Sequence, residues 1–169
     1  VWEEEPDFED LGKVDGEIDE IWAVTPHPDA ESDVVFAASG GRARLYRCDT
    51  APAPAFQLLG EVSGEINIAD ALTGEDGRIY FGTYPTCRLC FYDPADPGAG
   101  ITDLGTVLEN QRELSALCWG PDGLLYLGTY GHSRGGWFDG SLMVYDPATG
   151  RLENYGPPVE GYICLLYTS

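Results

Sequence analysis

The chain has 169 residues, 43% of them hydrophobic and 22% charged, enough apolar mass for an ordinary globular core. Its 29 acidic side chains against 9 basic ones give a formal net charge of -20, which excludes nucleic acid and anionic membrane surfaces as expected partners. No apolar run approaches the roughly 20 residues of a bilayer-spanning helix, and 22 glycines, 12 prolines and 12% aromatic residues describe short strands joined by tight turns.

In chain order, residues 1–12 end on Leu11-Gly12 and read as the outer strand of a preceding unit. Residues 13–60 hold a first strand at Ala23-Val24, a second at Val34-Val35-Phe36-Ala37-Ala38-Ser39, a third at Ala43-Arg44-Leu45-Tyr46, and close on Leu59-Gly60. Residues 61–105 repeat this with Ala71-Leu72, Ile79-Tyr80-Phe81-Gly82-Thr83-Tyr84, Arg88-Leu89-Cys90-Phe91-Tyr92 and Leu104-Gly105. Residues 106–156 repeat it again with Ala116-Leu117, Leu125-Tyr126-Leu127-Gly128-Thr129-Tyr130, Leu142-Met143-Val144-Tyr145 and Tyr155-Gly156. Residues 157–169 begin a further unit. The stretch Cys164-Leu165-Leu166-Tyr167-Thr168-Ser169 reads either as a natural inner strand or as the translation of a sequencing-library adapter, which it resembles.

The Ala pair falls at one offset from Gly12, Gly60 and Gly105, aligning Ala23, Ala71 and Ala116. Asp76-Gly77 and Asp122-Gly123 each precede a second strand, a hairpin signal in which both central residues are expected at positive φ. Four short strands recurring at roughly 40 to 50 residues mark a propeller blade. The fold class is therefore all-β: an incomplete β-propeller of about three and a half four-stranded blades, strands a to d. Propellers close with about 4–8 blades, so the expected structural partner is the missing blades of the same parent chain, with assembly of several copies as the alternative.

Gly120-Pro121-Asp122-Gly123, Tyr126-x-Gly128-Thr129 and Tyr145-Asp146-Pro147-Ala148-Thr149-Gly150 resemble the repeats of bacterial propellers of about six to eight blades. The neighbourhood includes Kelch-like, quinoprotein-like and streptogramin-lyase-like repeat proteins. The resemblance implies architecture alone, since such repeats serve many unrelated functions.

Propeller geometry puts the d-to-a and b-to-c connections on one face and the a-to-b and c-to-d turns on the other. The second face takes His27 and the Asp-Gly and Asp-Pro turns, which turn geometry explains. The first takes Glu17, Asp19, Arg42, Glu65, Asn67, Tyr84, Arg88, Arg112, Glu113, Tyr130, His132, Arg134, Trp137 and Asp139. Four of the nine basic residues, Arg42, Arg88, Arg112 and Arg134, would ring one mouth of an acidic chain. Guanidinium forks suit carboxylate or phosphate; alternatively these arginines neutralise Glu17, Glu65 and Glu113. The third blade's longer b-to-c connection, Gly131 to Gly140, reads as a glycine-rich loop on the binding face, with Trp137 able to stack on a sugar and His132 and Asp139 able to move protons.

The expected ligand-binding set is thus Arg42, Tyr84, Arg88, Arg112, Glu113, Trp137 and Asp139, and the ligand a glycan or other anionic small molecule. If the mouth is catalytic, as a polysaccharide lyase or lactonase, the best candidates are His132 as base, Arg134 as charge neutraliser and Tyr130 as positioning group. The third alternative is a protein-interaction scaffold. No cofactor is expected and no metal: His27 and His132 fall on opposite faces. Cys87 and Cys90, three apart in an extended segment, point to opposite sides and read as buried thiols rather than a metal or redox pair.

Overall fold

The computed structural model of the protein describes residues 20–51, 55–133, 136–158, 160–161, 163 and 166. Ile21–Pro26 (β1), Val34–Ser39 (β2), Arg44–Asp49 (β3) and Ala55–Glu61 (β4) pair antiparallel in that order. Asn67–Thr73 (β5), Ile79–Tyr84 (β6), Arg88–Tyr92 (β7) and Ile101–Thr106 (β8) form the second sheet in the same way. The third runs Glu113–Trp119 (β9), Leu125–Ser133 (β10), Leu142–Asp146 (β12) and Arg151–Gly156 (β13), with Gly136–Phe138 (β11) paired to the far end of β10. Three four-stranded meanders with their first strands side by side make an incomplete β-propeller, as the repeat implied.

Burial follows from position in the blade. The b strand β6 is buried at every residue but its last, because strands flank it on both sides and blades cover both its faces. The outermost strands β4, β8 and β13 are largely exposed. Alternation along β6 sends successive side chains into different seams: Phe81 joins Phe36, Leu45, Ile68 and Tyr92 between blades one and two, while Tyr80 joins Leu89, Leu114, Leu125 and Tyr145 between blades two and three. Full burial of side chains this large contributes about 1.5–3 kcal/mol each, so the seams carry most of the fold's hydrophobic stabilisation.

The blades also approach through glycine. Gly82 lies flat against the Leu114 backbone and Gly128 against Ile163, and Ile163 N–H donates to Thr129 O at 3.3 Å. Ile163 thus packs on Gly128 of the third blade as Leu114 packs on Gly82 of the second.

Two local expectations are corrected. Each innermost strand carries a register slip, between Ile21 and Ala23, between Ile68 and Asp70, and between Leu114 and Ala116. Asp70, paired with Gly82, is therefore the counterpart of Ala23 and Ala116, and the alignment through Ala71 is off by one residue. The equal offset arose because the chain from Gly60 to Ile68 is one residue shorter than that from Gly105 to Leu114. The Asp-Gly hairpins also differ from the expected turn. In each turn the glycine alone has positive φ, 82° at Gly77 and 76° at Gly123, and the aspartate does not. Gly77 N–H bonds to Gly74 O at 3.0 Å and Gly74 N–H to Arg78 O at 2.7 Å, which closes a three-residue loop with its left-handed position at glycine. Asp76 and Asp122 instead accept their own tyrosine hydroxyls, Tyr80 at 2.8 Å and Tyr126 at 2.9 Å.

Asp70 uses its extra reach. Its Oδ2 accepts Leu117 N–H across the seam at 2.8 Å and its Oδ1 accepts Ala71 N–H at 2.9 Å, while burial outweighs both and raises the carboxyl above its ordinary range. Asp70→Ala strands the Leu117 N–H and is expected to cost about 1–2 kcal/mol in urea unfolding. A raised folded-state pKa means that the Asp70 contribution is fully present below the unfolded-state value and is lost as pH rises through the folded value. The stability gap between wild type and Asp70→Ala should accordingly narrow from acid toward neutral pH.

Candidate functional site

The b-to-c and d-to-a connections meet at one end of the sheets, and a repeated set of bonds welds them. Ala43 and Cys87 adopt left-handed backbone, φ 45° and 54°, and donate their N–H groups across to Ile66 O at 3.0 Å and Arg112 O at 3.1 Å. Gly140 donates in the same manner to Gly161 O. Val62 and Val107 return bonds to Ala43 O at 3.0 Å and Cys87 O at 2.9 Å. Behind them the hydroxyls of Ser39, Thr83 and Thr129 accept the N–H groups of Arg44, Arg88 and Ser141 at 3.3, 3.2 and 2.8 Å. Backbone fixed this tightly is a rigid platform for whatever side chains it bears.

Among those side chains Arg88 is spent on the frame. It pairs with Asp103, lies 3.5 Å from Glu65 Oε1, and donates through Nε to Thr86 Oγ1 at 3.0 Å. Internal neutralisation, the alternative to an anion-binding ring, therefore describes Arg88. Asp139 also serves the frame: its carbonyl accepts from Gln111 Nε2 at 3.2 Å and its Oδ1 from Gly161 N–H at 2.8 Å. Arg42 is exposed in the tight connection between β2 and β3.

Arg112 differs. Its guanidinium carbon lies 5.0 Å from the centroid of the Tyr84 ring, within cation–π range, and it forms no ion pair among the described residues. Register puts Asn67 opposite Tyr84 and Glu113 opposite Tyr130, so these four half-buried or buried polar residues stand at one level of two adjacent blades. Asn67 is only 5% exposed, and its Oδ1 has no hydrogen-bond partner among the described residues. Burial raises the Glu113 carboxyl above the usual carboxylate range. The arrangement offers one unpaired cation, one orphan acceptor and one carboxyl predisposed to hold a proton. Asn67 was placed on this face by the sequence but left out of the ligand-binding set, and Gln111 was missed because nothing in its neighbours marks it.

The lengthened connection of the third blade is a β-ribbon rather than a glycine-rich loop: the backbones of β10 and β11 pair His132 with Trp137 and Ser133 with Gly136. The side chains of His132 and Trp137, and Arg134 altogether, lie outside the described residues, as do Glu17 and Asp19. Cys87 faces the seam between blades two and three and Cys90 the seam between blades one and two. Both are buried; burial pushes the Cys87 thiol up to about 12 and raises Cys90 further. Among the described residues no three or more His, Cys, Asp and Glu side chains gather as metal ligands.

No family model and no curated protein matches the chain. Solved structures do. The Saccharomyces cerevisiae protein Sqt1 superposes with a TM-score of 0.51 at 13% identity over 86% of this chain and 36% of its own. Puromycin hydrolase, solved as its S511A mutant in complex with PGG, superposes with a TM-score of 0.57 at 19% identity over 85% of this chain and 23% of its own. Both are propeller proteins. The chain thus spans about a third and a quarter of their lengths, and at these identities the likeness is one of fold.

Proposed function

We propose that this partial β-propeller is a binding module, completed by further blades of its parent chain, whose mouth takes a glycan or other small molecule carrying an anionic group. The observation that carries the reading is Arg112: in a chain of net charge -20 it rests on Tyr84 and pairs with no carboxylate among the described residues. A cation kept unpaired on an aromatic face is available to a ligand carboxylate. Asn67, opposite Tyr84 in the register, holds a buried Oδ1 without a hydrogen-bond partner among the described residues, a polar atom that a ligand hydroxyl would satisfy, which favours a sugar acid over a simple anion. Tyr84 and Tyr130 add aromatic surface.

Arg112→Ala keeps both backbone bonds of residue 112, to Cys87 and Tyr130, and so should leave the blades intact. It is expected to weaken binding of an oligogalacturonate about tenfold to a hundredfold in calorimetric titration. A neutral oligosaccharide binding equally well, or a variant binding unchanged, would overturn the reading.

Glu113 favours a second reading, a propeller enzyme of lyase or lactonase type. A desolvated carboxyl within the same mouth suits proton transfer. There Glu113 joins Tyr130, His132 and Arg134 as a candidate group, and turnover whose pH profile loses its basic limb in Glu113→Gln would establish it.

A further inference from the structure

At the opposite end of the sheets, between blades two and three, the a-to-b turns and the β12–β13 turn enclose a cleft of about 340 Å³. Its walls are Glu75, Asp76 and Arg78 from blade two and Asp146 and Pro147 from blade three, with Trp119 lining it as well. The volume sits at the small end of ligand pockets, sized for a single long side chain.

Trp119 is a departure from the repeat. Register aligns it with Pro26 and Thr73, through their partners Leu125, Val35 and Ile79. Its Nε1 donates to Thr73 O at 3.0 Å and its ring meets Tyr80 edge-on at 5.6 Å, so the indole is pinned while still bordering the cleft. The charges beside it are unbalanced. Arg78 is held over the Phe91 ring at 4.6 Å, with Asp76 at 3.6 Å and Asp93 at 3.5 Å, and is fully engaged. Asp146 accepts from Thr149 Oγ1 at 2.7 Å and Ala148 N–H at 2.9 Å, contacts that hold its carboxyl below the ordinary range and keep it ionised. Glu75 is exposed and makes no hydrogen bond or ion pair among the described residues.

We propose that this cleft is a second binding site, distinct from the mouth, that accepts a lysine or arginine side chain of a peptide, stacked on Trp119 and paired with Glu75 and Asp146. Three carboxylates face one engaged guanidinium, so the cleft repels anions and attracts a cation; an indole face is the best aromatic partner for one. Turn geometry accounts for Asp76 and Asp146 but for neither Glu75 nor Trp119.

The test is a titration of the full chain with a short peptide bearing one arginine, followed by NMR at the Trp119 indole N–H, with the citrulline peptide as the uncharged control. A saturable shift with arginine and none with citrulline is expected. Glu75→Gln, a change at an exposed turn residue, should weaken binding about fivefold, whereas Glu109→Gln, the same charge change in the β8–β9 connection at the other end, should leave it unchanged. No saturation, equal binding of citrulline, or equal weakening by the two variants would each overturn the site, the last by reducing the attraction to net charge.

Discussion

Alanine at Gly82 is expected to break the seam between the second and third blades. A Cβ built there falls 2.2 Å from Leu114 O, 2.7 Å from Leu114 Cγ and 2.8 Å from Leu114 Cβ. A rotamer change could move Leu114 Cγ, but Cβ and the carbonyl are fixed to the backbone of β9, whose register is set by its pairing with β10. Relief therefore requires the blades to separate, and overpacking of this kind costs about 3 kcal/mol, at the upper end of such substitutions, out of about 5–15 kcal/mol for a whole domain. Gly77→Ala is the matched control. It also adds a methyl to a glycine of the same blade, but into open space, so its cost is confined to the left-handed backbone, about 1 kcal/mol. Urea unfolding of the two variants should place Gly82→Ala well below Gly77→Ala. Equal midpoints would mean that the seam is not set by this approach. The first blade supports the logic by contrast: Ala38 occupies the register of Gly82 and is fully buried, so its seam is built around a methyl.

The same contacts explain which parts of the fold were legible in the sequence. Gly82 and Gly128 recur because a neighbouring backbone lies against them, and Thr83 and Thr129 recur because their hydroxyls clasp the next strand. Each is imposed by how one blade meets its own strands or the next blade, so the pattern repeats with the blade. The register slip in β5 left no trace, since a shorter loop before it compensated and kept Ala71 at the expected offset. The β-ribbon of the third blade was hidden by its glycines, which interrupt any alternation. In the mouth, the partner of Arg88 is Asp103 on the adjacent strand, a pairing that only the β7–β8 register reveals. Trp119 could be recognised as unusual only after β1, β5 and β9 were aligned through their bulges, which is why a cleft among residues that turn geometry seemed to explain was not anticipated.

Loss of the Glu65 carboxylate should be the second most damaging single change. Its side chain is 1% exposed, accepts both the N–H of Thr86, at 3.2 Å, and the Thr86 hydroxyl, and stands 3.5 Å from the Arg88 guanidinium. Glu65→Ala leaves two donors unsatisfied in a closed space and removes one of the two carboxylates that balance Arg88. Breaking a fully buried pair costs about 3–5 kcal/mol. Arg88 is a third exposed and keeps Asp103, so a loss of about 2–3 kcal/mol is expected in urea unfolding. The third blade indicates which replacement is mild. Gln111 precedes β9 as Glu65 precedes β5, both one residue before the position whose carbonyl receives the b-to-c backbone bond, and there an amide suffices. Its Oε1 accepts the Thr129 hydroxyl at 3.1 Å and its Nε2 donates to Asp139 O at 3.2 Å. Glu65→Gln should retain one acceptor for Thr86 and lose about half as much stability as Glu65→Ala. If the glutamine and alanine variants unfold together, the ion pair with Arg88 rather than the bonds to Thr86 holds the b-to-c connection in place. If glutamine is nearly silent, the clasp is a hydrogen-bonding device that the blades build with either side chain, and the charge of Glu65 serves mainly to orient Arg88 away from the mouth.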